Sequence, residues 1–235
     1  MIIVPLLKSP AKDPVQSGNY RPIAIATILS KVVEKVVLHR LEVFLCTHDN
    51  QFSYKAGHGT ELCVWTLKNI TSYYTSRGSP VYLCFLDASK AFDRVNYWKL
   101  FSKLLDRGAP SYLVNLLVYW YTSQDFIVRW GSSLSPPFKT GNGIRQGGIL
   151  SPYLYNVYTD QLSATLRGKA IGCFIHDLCI NSLSYADDMV LLAPTLESLQ
   201  TLINVCQEYA TDHDIIYNTT KTVYGSPTTL LQGWL

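Results

Sequence analysis

The segment that most restricts how this chain can fold is Ser184-Tyr185-Ala186-Asp187-Asp188-Met189-Val190-Leu191-Leu192. Two apolar runs, Ile180 to Tyr185 and Met189 to Leu192, are joined by adjacent carboxylates. The pattern predicts two strands of a hairpin with the acids at its tip. Aspartate is common in tight turns, so the motif alone reads equally well as a solvated turn. The other reading is a metal site, because adjacent carboxylates gripped by apolar strands are poorly placed for burial without a counter-charge.

A second acid shifts that balance. Val81 to Leu86 is a continuous apolar run bounded by Pro80 and Asp87, as expected for a central strand. If this strand joins the hairpin in one sheet, Asp87 and Asp187 can face each other across it. Paired carboxylates of this kind hold two Mg²⁺ ions roughly 3.5–4 Å apart in sites for in-line phosphoryl transfer. The ordinary alternative for Asp87 is a cap on the following helix, and that role is preferred for Asp93 in Lys90-Ala91-Phe92-Asp93.

A third block, Gly143-Ile144-Arg145-Gln146-Gly147-Gly148-Ile149-Leu150-Ser151-Pro152, places glycines ahead of a helix. Glycine lets backbone approach a ligand closely, and a helix N-terminus favours anions. Gln146 offers an uncharged amide to a base or sugar. Most Gly-Gly loops are only connections, so this block acquires meaning from its company.

The rest of the chain reads as α+β, with strands and helices alternating irregularly. A strand over Ile2 to Leu7 precedes a helix over Ile28 to Leu45, capped by Ser30, with Leu29, Val32, Val33, Val36, Val37, Leu41 and Leu45 on one broad stripe. Helices follow over Thr60 to Tyr74, Asn96 to Leu105, Ser111 to Tyr121, Pro152 to Leu166, and from a Thr195 cap to Tyr209. Phe126 to Trp130 and Phe138 suggest a hairpin, and Ile215 to Tyr217 and Thr222 to Tyr224 are short strands.

Composition excludes several classes. Hydrophobic residues at 48% and charged residues at 16% argue against a disordered chain. The six scattered cysteines form no Cys-x-x-Cys pair, so zinc is not expected and buried free thiols are. The formal charge of +3 permits nucleic-acid binding without demanding it. Met1 to Leu7 is too short for a signal peptide or membrane span, which points to an intracellular protein of the cytoplasm or nucleus with no membrane partner.

In their order, these three blocks resemble the reverse transcriptases of non-LTR (LINE-type) retrotransposons. Asn19-Tyr20-Arg21-Pro22-Ile23 with Ser30 to Lys35 looks like the first fingers block of that family, and Gln51-Phe52-Ser53-Tyr54-Lys55-Ala56-Gly57 with Thr60 like the second. The resemblance implies a right-hand polymerase with a ferredoxin-like palm sheet, in a domain fragment over 1–225. Fingers would lie mainly in 1–80 and 110–146 and palm mainly in 81–109 and 147–225, with no thumb and a short tail over 226–235. It implies RNA-directed addition of deoxynucleotides to a primer 3′-hydroxyl, with Mg²⁺, or Mn²⁺ in its place, an RNA template, a DNA primer and deoxynucleoside triphosphates as partners.

Residue by residue, the resemblance makes Asp87 and Asp187 the main metal ligands and Asp188 the supporting carboxylate. Phe92 matches the aromatic gate that excludes a 2′-hydroxyl, and Gln146 matches the glutamine beside the incoming nucleotide. Tyr185 matches the aromatic near the primer terminus. Arg21 matches the arginine that meets the triphosphate, and Lys221 the late lysine proposed to protonate pyrophosphate. Two other readings stay open. One is a truncated, inactive remnant that at most binds nucleic acid; the other is a polymerase of the group II intron maturase or telomerase kind.

Overall fold

The computed structural model describes residues 1–226, so the expected tail lies outside the described residues beyond Ser226. From the N-terminus come β1 (Ile2–Leu7), β2 (Tyr20–Ile25), α1 (Ile28–Leu41), α2 (Thr60–Thr75), β3 (Tyr82–Asp87), α3 (Tyr97–Asp106) and α4 (Ser111–Ser123). Then follow β4 (Ile127–Trp130), β5 (Ser133–Leu134), α5 (Ser151–Gly168), β6 (Cys173–Ile175) and β7 (Leu178–Ile180). The last elements are β8 (Ser182–Tyr185), β9 (Asp188–Ala193), α6 (Leu196–Asp212) and β10 (Val223–Gly225). The chain divides into two compact units, one formed by residues 1–46 and 92–155, the other by 47–91 and residues from 156 onward.

The first unit holds a sheet of order β2-β1-β4-β5. Strands β1 and β2 pair antiparallel from Ile2↔Ile25 to Leu7↔Tyr20, and β4 runs parallel to β1 at Ile2 and Ile3. Sequence periodicity had no signal for β2, because Pro22 interrupts it; an edge strand tolerates proline, which cannot donate to a ladder. Pro5 is likewise accommodated, since β4 covers β1 only at Ile2 and Ile3. Helix α3 is capped by Asn96, whose Oδ1 accepts the N–H groups of Trp98 and Lys99 at 3.1 and 3.2 Å. It buries Tyr97, Leu100, Phe101 and Leu104, and Tyr97 meets Tyr121 of α4 edge-on with ring centroids 5.4 Å apart.

Helix α1 departs from expectation in two ways. Its cap is Thr27 rather than Ser30, and Ser30 instead donates its N–H to the Thr27 hydroxyl at 3.2 Å. The stripe through Leu29, Val32 and Val36 is exposed, while the buried residues are Glu34, Val37 and Leu41. A helix that is apolar nearly all round shows its period in sequence but not which face the core will take. The choice is made by Glu34, whose carboxylate is drawn inward by a buried arginine described below.

The second unit is built on a sheet of order β10-β3-β9-β8. Strands β3 and β9 pair antiparallel from Tyr82↔Ala193 to Asp87↔Asp188. Alternate residues face opposite sides of a sheet. Cys84, Leu86, Leu191 and Ala193 pack with Leu162 and Leu166 of α5 and Leu199, Leu202 and Cys206 of α6. Leu83, Val190 and Leu192 pack the other way, with Leu67 and Ile70 of α2. Both faces are covered, and that is why these strands read as unbroken apolar runs rather than alternating ones.

The Thr195 cap on α6 is present, with its hydroxyl accepting the Ser198 N–H at 3.1 Å. The expected strand at Ile215 to Tyr217 is instead irregular, with a single antiparallel bridge from Tyr217 to Ala88. The short hairpin β6–β7 was not anticipated. Its residues are too few to carry a period, and Phe174 and Leu178 are exposed. Among the described residues the cysteines are free, and burial pushes the thiols of Cys84 and Cys206 up to about 11 and about 12, respectively.

Candidate active site

In the second unit, β3 carries its apolar run to the edge of the core and ends in Asp87. The residue opposite Asp87 across the ladder is Asp188, the first residue of β9. Asp188 is also the partner of Tyr185, the last residue of β8, so the hairpin link is just Ala186 and Asp187. By strand alternation Asp87 and Asp188 lie on the sheet face that carries Leu83, Phe85, Val190 and Leu192. The link has φ +57° at Ala186, a left-handed conformation normally given to glycine in a two-residue hairpin. Holding an L-residue there costs about 1–2 kcal/mol, so something must hold the turn.

Three carboxylates in one place leave an electrostatic mark. Partial loss of hydration, then the negative charges of Asp187 and Asp87, lift the Asp188 carboxyl above its ordinary range, and Lys221 pulls the other way. The side chain of Asp188 nonetheless stays open to solvent. The like charges are therefore the part of this penalty that a bound cation would relieve.

Lys221 already supplies one positive charge. Its Nζ lies 3.3 Å from both Oδ1 and Oδ2 of Asp87. The backbone brings it there: Asp87 O accepts the Asn218 N–H at 2.8 Å, Ser89 N–H donates to Ile216 O at 2.7 Å, and β10 pairs with β3 from Val223↔Phe85.

This donor set suits a hard divalent ion, which takes carboxylate oxygens. Among the described residues no group of three or more His, Cys, Asp or Glu side chains is placed to hold a metal ion together. A magnesium-type site does not need one, because Mg²⁺ usually keeps several waters and substrate oxygens and one or two carboxylates.

The first unit gathers a separate group of expected residues. Phe92 opens a short 3₁₀ turn and stacks on Tyr155, with ring centroids 4.9 Å apart and planes 14° apart. The Gly143–Gly148 loop is tied to that turn, since Gly143 N–H donates to Val95 O and Ile144 N–H to Phe92 O, each at 2.8 Å. Gly143 is required here: its φ is +89°, and a Cβ would sit 2.8 Å from the Asp93 carbonyl oxygen. On its other side the loop joins β2, where Ala24 N–H donates to Gln146 O at 2.8 Å. The Gln146 side chain donates from Nε2 to Asp93 Oδ1 at 3.0 Å, a role for Asp93 other than the expected helix cap. Arg21 stands exposed on the same edge strand, opposite Leu6.

Two residues at these sites lie within the fingers blocks of the resemblance, but nothing in the sequence pointed to their partners. One is Glu34, which is buried and accepts from Arg145 Nη1 at 2.9 Å. Its other oxygen takes the N–H groups of Ile149 and Leu150 at the start of α5. The anion-favouring helix end expected for a ligand is therefore satisfied by the protein itself. The Arg145 guanidinium also lies over the Trp120 ring, 4.6 Å from its centroid. The other residue is Gln51, whose partner is 135 residues away. Separations of this kind leave no period or spacing to read.

The family described as reverse transcriptase (RNA-dependent DNA polymerase) matches residues 8–231. The chain belongs to that family. Among curated proteins, this reverse transcriptase chain is 30% identical over 188 residues to a probable RNA-directed DNA polymerase from transposon X-element of Drosophila melanogaster, covering 76% of the chain and 20% of that protein. It is 27% identical over 231 residues to the RNA-directed DNA polymerase from mobile element jockey of Drosophila funebris, covering 93% of the chain and 24% of that protein. The chain thus spans about a fifth to a quarter of the length of these relatives.

Among solved structures it resembles telomerase from Candida tropicalis in complex with the TWJ fragment of telomeric RNA. That match has a TM-score of 0.60 at 14% identity and covers 85% of this chain and 34% of that one. The likeness is one of fold, and it agrees with the expected α+β polymerase architecture. Reverse transcriptases generally use divalent metal ions. No helix among the described residues is long and apolar enough to cross a membrane.

Proposed function

We propose that this chain is the polymerase core of an RNA-directed DNA polymerase, adding deoxynucleotides to a DNA primer 3′-hydroxyl on an RNA template. The observation that carries the reading is the register pair Asp87↔Asp188 on adjacent sheet strands, with Asp187 in the two-residue link beside it. Asp87, Asp187 and Asp188 would hold Mg²⁺, with Mn²⁺ as its substitute. The metal would supply charge neutralisation at the phosphates and a lowered pKa for the primer hydroxyl.

The chain's own side chains do the rest. Lys221, within reach of the Asp87 carboxylate, offers a proton to the departing pyrophosphate. Phe92, backed by Tyr155, forms the floor that disfavours a 2′-hydroxyl, and Gln146 lies beside the incoming nucleotide. Arg21 offers its guanidinium fork to the triphosphate, and Tyr185 lies near the primer terminus. In this reading the β3–β9–β8 sheet belongs to the palm, and β1, β2 and α1 belong to the fingers.

The test is extension of a labelled DNA primer on an RNA template by the purified chain in Mg²⁺. Extension by the parent and none by Asp187→Ala is the expected result. Equal behaviour of the two proteins would overturn the reading in favour of a segment that at most binds nucleic acid.

A further inference from the structure

Gln51 opens the second block of the family resemblance, and although it is a polar residue it is buried at 3% exposure. Its backbone extends the sheet: Phe52 N–H donates to Ser184 O and Ser184 N–H to Asn50 O, each at 2.8 Å. Gln51 therefore lies parallel to Ser184, alongside β8 and two residues from the carboxylate turn.

From there its side chain grips a single peptide residue at both polar ends. Ala186 N–H donates to Gln51 Oε1 at 3.1 Å, and Gln51 Nε2 donates to Ala186 O at 3.3 Å. The same Oε1 accepts from the Ser53 N–H at 3.1 Å and the Ser53 hydroxyl at 2.9 Å. Ser53 is in turn held by Asn156 of α5, whose Nδ2 donates to Ser53 O at 3.0 Å. A buried chain of hydrogen bonds thus runs from a helix to the turn. An amide suits this place because it offers a donor and an acceptor together without charge. Glutamate would lose the donor, and methionine would lose both.

We propose that Gln51 is a positioning residue of the polymerase site. It holds Ala186 in its left-handed conformation and so sets Asp187 and Asp188 against Asp87. The inference rests on the reading of those three residues as metal-holding carboxylates. Its consequence is specific: loosening the turn disturbs metal binding and turnover.

The experiment compares the parent chain with Gln51→Met and Gln51→Glu, using Mn²⁺ titration by electron paramagnetic resonance beside single-nucleotide extension. In both variants the Mn²⁺ midpoint should rise by about tenfold, as when a residue supporting a metal ligand is lost. kcat should fall by about tenfold or more, because small misplacements of reacting groups are costly. KM for the deoxynucleotide should stay within about twofold, since uniform binding is untouched. A purely structural role would lower thermal stability and leave the Mn²⁺ midpoint of the folded fraction at the parent value. That result overturns the proposal.

Should Gln51→Met not fold, Gln51→Glu together with Ser53→Ala carries the test, and parent-like Mn²⁺ midpoints in both overturn it. A parent that binds Mn²⁺ but extends no primer would refute the polymerase reading alone. A parent that extends primers, with variants unchanged in Mn²⁺ midpoint and kcat, would refute the Gln51 role alone. A parent that binds no Mn²⁺ refutes both.

Discussion

Lys221 Nζ lies 3.3 Å from each carboxylate oxygen of Asp87, so the acid at the end of the central strand already faces a cation. The lysine is 63% exposed, and an ion pair that open to water contributes at most about 1 kcal/mol to stability. The proposed role is chemical. Lys221→Ala should leave the melting temperature nearly unchanged while kcat for nucleotide addition falls by about 10²-fold, the usual scale for loss of a general acid. Thermal melts and single-turnover extension on the same preparation check this; a full kcat would remove Lys221 from the mechanism.

Asp188 makes a prediction about pH. Its folded carboxyl is raised above the ordinary value of 3.8 by partial loss of hydration and by the charges of Asp187 and Asp87. An acid whose folded pKa is raised favours folding when protonated. That contribution is complete below the unfolded value and is lost as pH rises through the folded one. Asp188→Asn removes the penalty, so the variant should be more stable than the parent at neutral pH. The gap should close as pH falls toward 3.8. Urea melts at several pH values measure it, and a gap that widens on acidification would contradict the assignment.

Divalent metal should act in the same direction as that substitution. An ion bound only by the folded chain stabilises it by mass action, by about 2.7 kcal/mol at a hundredfold excess over its Kd. Mg²⁺ should therefore raise the melting temperature of the parent and have little effect on Asp187→Ala. An equal shift in both proteins would place the ion elsewhere.

The Glu34–Arg145 pair predicts a large loss of stability. Both side chains are almost fully buried, at 4% and 3% exposure, and the arginine is further packed over Trp120. Glu34→Ala would strand a buried guanidinium and leave the Ile149 and Leu150 N–H groups without their acceptor. Breaking a buried pair in this way costs about 3–5 kcal/mol. Denaturant melts of Glu34→Ala against the parent check the figure, and a loss below about 1 kcal/mol would place the pair in the class of weak surface bridges.

Phe92 predicts a change in substrate choice. Its ring is fixed against Tyr155 at 4.9 Å, which makes it a firm floor rather than a mobile side chain. Phe92→Ala should admit ribonucleotides, raising their kcat/KM relative to deoxynucleotides by about tenfold or more, equivalent to about 1.4 kcal/mol. An unchanged ratio in single-nucleotide incorporation would reduce Phe92 to packing.

Much of the fold and of the candidate site was legible before any coordinates. Strand β3 and the β8–β9 hairpin announced themselves because both faces of the sheet are covered, which makes their sequences continuously apolar. Asp187 and Asp188 alone read equally well as a solvated turn, and it was Asp87 at the end of a second apolar run that singled the three acids out. Strand β2 was hidden by Pro22, which an edge strand tolerates. Helix α1 was recognised, but its inward face was not, because Glu34 rather than a valine stripe decides how it turns.

The sequence by itself therefore determined the main helices, the central strands β3, β8 and β9 and the acids at their ends, since local periodicity and residue chemistry suffice for these. Tertiary structure alone decided that Asp188 is the residue opposite Asp87, because register depends on the whole ladder and on a two-residue link that holds Ala186 at positive φ. It also decided what holds that link. The Gln51 amide reaches Ala186 across 135 residues, and a hydrogen bond between groups so far apart leaves no pattern in the chain that makes it.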